Sequence, residues 1–228
     1  MLREVSLPAD ISGHLFLSHM PGRYSPFPKD EAVITDANVD TVVCLAPLDE
    51  IRKKSPGYAK AIDTQRLKWR SRPFPIGDYG VPRGEDRAAF LTLVGDVANA
   101  LREARTVLIH CGAGVGRTGM AAIGVLLALG QPLDPAIVAV QRAGSQPETK
   151  DQAALVQWVE RELEVHVMAK FVTLEHLSGG DFVVNIDHVV RIEQAQEGSI
   201  VHLSDGSEVE VKEVFPEVLE KLGGKPQG

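Results

Sequence analysis

His110-Cys111-Gly112-Ala113-Gly114-Val115-Gly116-Arg117-Thr118-Gly119 is the stretch on which the fold turns. In front of it stands Val107-Leu108-Ile109, an aliphatic run of the kind that forms a buried parallel strand. Behind it, Met120 to Leu129 is apolar on every side, the mark of a buried helix. The glycine-rich segment is then the tight loop joining strand to helix. Such a loop turns successive backbone N–H groups into one concavity and ends on a helix N-terminus, where partial positive charge accumulates. It is a ready site for a phosphate dianion.

Five residues separate Cys111 from Arg117, enough for the loop to close a circle with the thiol at its base and the guanidinium at its rim. The amides of Gly112, Ala113, Gly114, Val115 and Gly116, together with Arg117, are the expected phosphate ligands. The same amides favour thiolate over thiol, so one cause serves both binding and nucleophile activation. The planar fork of Arg117 can clamp two phosphate oxygens and follow them as phosphorus becomes trigonal bipyramidal, which a lysine could not. Thr118 can donate its hydroxyl to the sulfur when the sulfur leaves. His110 is expected to orient the loop through hydrogen bonds.

Outward from the loop, strand-like and helix-like segments alternate, the pattern of an α/β domain with a largely parallel central sheet flanked by helices. Strands are predicted at Leu15–Ser18, Thr41–Ala46, Leu67–Phe74 and Thr106–His110. Helices are predicted at Asp30–Ala37, more weakly at Leu48–Ala61, then at Gly84–Arg105, Arg117–Leu129, Asp134–Arg142 and Thr149–His166. Phe90, Leu93, Val94, Val97 and Leu101 recur at three and four residues and give the helix at Gly84–Arg105 one buried face. Past Met168 the apolar period drops to two. Short strands are predicted from Phe171 to Lys212, with turns at Ser178-Gly179-Gly180-Asp181 and Ser204-Asp205-Gly206-Ser207 and a last helix at Glu213–Leu222 that stops at Gly223-Gly224. This divides the chain into a domain over residues 1–167 and a small β-rich domain over 168–228.

Composition narrows the function. A net charge of −7 is a poor match to nucleic acid, whose binding draws on many Lys and Arg contacts. No run approaches the roughly 20 apolar residues that span a bilayer, and the start lacks an apolar signal region, so a cytoplasmic protein is expected. Two cysteines, Cys44 and Cys111, cannot build a disulfide framework. Cys44 ends an apolar strand on the ligand side of the sheet; a buried core thiol is favoured there over an oxidative trap for Cys111. His166, His176, His188 and His202 lack zinc-site spacing, so no metal is expected. Gly114-Val115-Gly116-Arg117-Thr118-Gly119 also matches a dinucleotide fingerprint, with Asp134 downstream. That reading needs a second strand ending near the acid, whereas Gly130 and Pro132 mark a helix end and a turn.

The run from His110 to Thr118 resembles the H-C-x5-R-[ST] signature of the protein tyrosine phosphatase superfamily, most like its dual-specificity branch, over roughly residues 10–166. The resemblance implies a two-step reaction through phosphocysteine, without cofactor, and a general acid on a loop some thirty residues upstream. Phe74-Pro75-Ile76-Gly77-Asp78-Tyr79-Gly80-Val81-Pro82 looks like that loop and makes Asp78 the acid, preferred to Glu85 and Asp86, which sit where helix-starting acids belong. Tyr79 would shape the rim. Arg142 to Gln152 resembles the region that positions the attacking water, with Gln152 as candidate. The uncharged loop interior points to a phosphoprotein substrate; the alternatives are an inositol phosphate, a lipid phosphate, an RNA 5′-phosphate, or a phosphopeptide-binding scaffold with little turnover. Residues 170–222 resemble small flagellar FlbD-type proteins, which implies at most association with a protein partner.

Overall fold

The computed structural model describes residues 2–168 and 171–223. By their internal contacts they fall into two units, Met1–Arg161 and Glu162–Gly228. The first is built on five strands: β1 (Arg3–Val5), β2 (His14–Ser18), β3 (Thr41–Cys44), β4 (Arg70–Pro73) and β5 (Thr106–His110). Their order is β1-β2-β5-β3-β4, antiparallel between β1 and β2 and parallel elsewhere. The fold is thus an α/β sheet, mainly parallel and flanked by helices. Every residue of β5 is buried, as a central strand covered on both faces requires.

Side chains alternate across the sheet. Val42, Cys44 and Leu108 join a core with Ile34 of α1 (Phe27–Asp36), Ile51 of α2 (Leu48–Lys54) and Tyr58 and Ala59 of α3 (Pro56–Asp63). On the other face Val43 and Val107 line one cleft with Leu93 and Val97 of α4 (Asp86–Arg102). There α4 packs on α5 (Gly116–Ala128), buried along nearly its whole length, with Gly124 letting it come close: a Cβ there would lie 3.1 Å from Val94. The helices α6 (Leu133–Arg142) and α7 (Lys150–Met168) come next in the chain.

Several sequence expectations need correction. The weak helix at 48–61 is two helices, because Pro56 has no amide to continue the ladder and Ser55 leaves helical geometry at φ −149° to bond Pro21. The strand predicted from Leu67 starts only at Arg70, since Trp69 turns inward against Phe27. The strand at Arg3–Val5 went unanticipated; three residues are too few for a period of two to show.

In the second unit β6 (Phe171–Glu175) and β7 (Asp181–Asn185) form one hairpin, and β8 (Val189–Gln194), β9 (Ser199–Leu203) and β10 (Glu208–Val211) a meander. Positive φ at Gly179, Gly180 and Gly206 makes their turns possible. Leu174, Val184, Val201, Val211 and Val218 make a core of their own, closed by α8 (Phe215–Lys221). The last helix begins at Phe215, two residues later than predicted, with Pro216 in its first turn. Gly224, half of the predicted helix stop, and the side chain of His166 lie outside the described residues. No helix among the described residues is long and apolar enough to cross a membrane.

Candidate active site

Parallel register sets Ser18, His110 and Cys44 level at the C-terminal ends of β2, β5 and β3. The chain therefore leaves four parallel strands on one side of the sheet, where ligands of open α/β folds bind. Cys111 is the first residue past β5, and the segments that emerge from β2, β3 and β4 surround it. Gly114 has φ +77°, and a Cβ on it would lie 2.3 Å from the Ser18 carbonyl, so the loop rests against the end of β2 with room only for glycine.

The loop's carbonyls are tied from outside. Gly112 O accepts from Met20 N at 3.1 Å. Gly114 O accepts from Ser145 Oγ at 2.7 Å and from the Arg3 guanidinium. An amide points inward: Gly114 N donates to Cys111 Sγ at 3.3 Å, and the thiol is 2% exposed. Behind the nucleophile, burial lowers the His110 imidazole to about 4, so it is neutral at pH 7. Its Nδ1–H donates to Cys111 O at 3.1 Å, and its Nε2 accepts from the buried Tyr58 hydroxyl at 3.2 Å. His110 thus orients the Cys111 peptide and carries no proton to spare. Cys44 sits in the core, its thiol bonded to Ala46 O and pushed up by burial to about 12.

Arg117 is 2% exposed, and both terminal nitrogens of its fork are bonded. Nη1 donates to Glu50 Oε2 and Ile76 O, both at 2.8 Å; Nη2 donates to Glu50 Oε1 at 3.0 Å and to Asp78 Oδ1 at 2.8 Å. Burial works against the guanidinium charge, but the bonds to Glu50 and the field of Cys111 outweigh it. Burial would likewise raise the Glu50 carboxyl, yet the bonds from Arg117 and Lys54 pull it down to about 2. Charge-assisted bidentate pairing of this kind fixes the plane of the fork.

Asp78 stands in a turn closed by Gly80 N on Gly77 O at 2.9 Å, half-exposed and facing Lys54 Nζ at 3.7 Å. Tyr79 takes left-handed backbone at φ +57° and leaves its ring 62% exposed. Fully buried Gln152 braces this turn: Nε2 donates to Gly80 O at 3.2 Å while Oε1 accepts from Glu148 N at 2.9 Å. Cys111, Ala113, Arg117, Asp78, Tyr79 and Gln152 line one cavity of about 90 Å³. Larger clefts of about 250 and 470 Å³ lie elsewhere and contain neither thiol nor imidazole, so chemistry and not size selects the small one. Gly116 opens α5 there, and a Cβ on it would strike the Glu148 carboxylate.

Thr118 Oγ1 is buried and makes no hydrogen bond among the described residues, while Cys111 Sγ accepts from Gly114 N. Sequence reasoning passed over Glu50, Arg3, Tyr58 and Ser145. Glu50 sits in the first turn of α2, where an acid is expected for the helix dipole alone, and nothing local to the other three marks them.

Residues 25–172 match the family model described as "PTP-SAK: Swiss Army Knife protein, DSP-PTPase phosphatase domain". No curated protein matches the chain. Among solved structures, kinase associated phosphatase carrying serine for its catalytic-site cysteine has a TM-score of 0.63 at 21% identity, covering 73% of this chain and 97% of that one. PTPMT1 has a TM-score of 0.55 at 14% identity, covering 74% and 99%. The human tyrosine phosphatase-like serine/threonine/tyrosine-interacting protein has a TM-score of 0.50 at 19% identity, covering 72% and 97%. At these identities the likeness is one of fold.

Proposed function

The chain belongs to the PTP-SAK family of DSP-PTPase phosphatase domains, and from that premise we propose a phosphomonoester hydrolase that works through phosphocysteine on phosphoproteins, at tyrosine and also at serine or threonine. The observation that carries the reading is the meeting of three groups from distant parts of the chain. Cys111 lies at the base of an amide-lined loop, the Arg117 fork lies at its rim, and Asp78 is hydrogen-bonded to that fork.

The ester's phosphate enters the loop and replaces Asp78 on Arg117 Nη2. Cys111 Sγ, as thiolate, attacks phosphorus as the P–O bond breaks, and Asp78, released from Arg117 and having taken a proton from solvent, gives that proton to the leaving oxygen. Asp78, now a carboxylate, takes a proton from water, whose oxygen attacks phosphorus as the S–P bond breaks. Gln152, on the cavity wall and bonded to the acid turn, positions that water. The unpartnered Thr118 hydroxyl is the donor available to the sulfur as it leaves. Because Glu50 and Ile76 O hold the guanidinium in place before substrate arrives, charge developing on the phosphoryl oxygens meets dipoles that need no rearrangement.

The protein-substrate reading is supported by a loop whose interior positions, Gly112 to Gly116, carry no charge. The thiol chemistry suits a reducing compartment such as the cytoplasm. We assign the second unit, whose sequence resembles FlbD-type proteins, to association with a protein partner: it closes a hydrophobic core of its own, and no group of three side chains able to hold a metal ion occurs among the described residues. The test is hydrolysis of p-nitrophenyl phosphate. Turnover by the native protein and none by folded Cys111→Ser, with a phosphorylated thiol trapped by acid quench and seen by mass spectrometry, is the expected result. Equal inactivity of both would leave a phosphopeptide-binding scaffold.

A further inference from the structure

We propose that Arg23 forms a second anion subsite at the mouth of the loop and selects phosphoproteins carrying an acidic side chain next to the phosphorylated residue. The proposal deepens the phosphatase reading and rests on it. Of the three cations lining the cavity among the described residues, two are already neutralised: Arg117 by Glu50 and Asp78, and Lys54 by Glu50 at 2.8 Å and Asp78 at 3.7 Å. Arg23 is half-buried yet makes no ion pair with a carboxylate among the described residues. A cation partly withdrawn from water without an ion-pair partner of its own costs free energy that an anionic ligand recovers.

Its placement is built. Arg23 N donates to Met20 O at 3.2 Å, and Met20 N donates to Gly112 O at 3.1 Å, so the segment is pinned to the loop it overlooks. The guanidinium lies 4.8 Å above the Tyr24 ring, which in turn meets the edge of His19 at 4.8 Å. A guanidinium held over a ring through its carbon still has N–H groups to offer a carboxylate. Nη1 would stand 3.2 Å from a Cβ on Gly112, hence beside the loop, while the Tyr24 platform is 64% exposed, which sets the group at the mouth and not at the base. The scissile phosphate is served by the loop amides and Arg117; Arg23 serves the group next to it. Exposed Tyr24 and Tyr79 offer flat apolar walls to a peptide chain. A polyphosphorylated ring would need several free cations, and the cavity has one among its described lining residues.

The experiment measures fluorescence anisotropy of two fluorescein-labelled phosphotyrosine peptides, with Glu or Gln beside the phosphotyrosine, on the full chain bearing Cys111→Ser. The Glu peptide is expected to bind about tenfold more tightly at low salt. Arg23→Gln in the same background should bring the ratio to about one, and Arg23→Lys, which keeps the charge but not the fork, should hold it between. A ratio unchanged by Arg23→Gln, or no preference in the parent, overturns the subsite. Displacement by an inositol polyphosphate that beats the Glu peptide and vanishes in Arg23→Gln overturns the choice of a protein ligand. Hydrolysis of p-nitrophenyl phosphate without any peptide preference removes the subsite and keeps the phosphatase, whereas preference without hydrolysis of any ester removes the phosphatase reading.

Discussion

The loop from Cys111 to Arg117 and the turn from Gly77 to Gly80 face each other across one small cavity and are built in opposite ways. The first is buried except at Ala113 and Val115, its carbonyls tied to Met20, Ser145 and Arg3, its arginine held by Glu50 and Ile76 O. The second is half-exposed, closed on itself by one backbone bond and braced by Gln152. The difference reflects what each must do. Stabilising charge on a transferring phosphoryl group rewards dipoles that are already in place. An acid that protonates one oxygen and then deprotonates another must leave Arg117 when phosphate arrives, so it cannot be buried as deeply.

Breaking the buried side at its centre should have the largest effect. Cys111→Ser is expected to lower kcat by at least about 10⁴-fold with the fold intact by circular dichroism; retained turnover would end the nucleophile assignment. On the exposed side, Asp78→Asn should lower kcat by about 10²–10⁴-fold, leave KM nearly unchanged and flatten the pH–rate limb that depends on a protonated acid. An unchanged profile would remove Asp78 from its role.

Glu50→Gln probes the hold on Arg117. It should cost about 2 kcal/mol in urea unfolding, less than the roughly 3–5 kcal/mol of a fully buried pair, because the Glu50 side chain remains 11% exposed. The pH dependence has a definite sign. The Glu50 carboxyl is lowered on folding from 4.5 to about 2, so its stabilisation is complete above about pH 4.5 and is lost as pH falls towards 2. Glu50→Gln should remove that loss, and an unaltered acid limb would show that the pair is not what holds the fork. The smallest effect belongs to Tyr79, in left-handed backbone that a tyrosine adopts at a cost. Tyr79→Asn should stabilise by about 0.5–1 kcal/mol, read as a higher Tm, because Asn tolerates that region.

How much of the molecule is legible from the chain alone varies with the range of the interaction. The strand at Thr106–His110, the loop and the helix after it form one unbroken segment, and local pattern reads such segments well. The alternating strands beyond Met168 are equally readable, since a period of two with glycine turns needs no distant partner. Ser55-Pro56 carries its helix break in plain sight, but the apolar spacing on either side suggests continuity. Arg3–Val5 becomes a strand only because β2 supplies an antiparallel edge for it.

The sequence by itself determined the α/β class, the residues that can attack and clamp a phosphate, and the loop able to carry an acid, because covalent neighbours and fixed spacing suffice for those. Only the tertiary structure decided what holds them. Glu50 looks like any first-turn acid until α2 is laid beside Arg117, Tyr58 like any core aromatic until it reaches His110, and Arg23 like any surface cation until Met20 pins it over Gly112. Tyr58 to His110 spans 52 residues of chain, and Glu50 to Arg117 spans 67. The free energy of such contacts arises from burial and mutual orientation, and neither is a property of the chain before it folds.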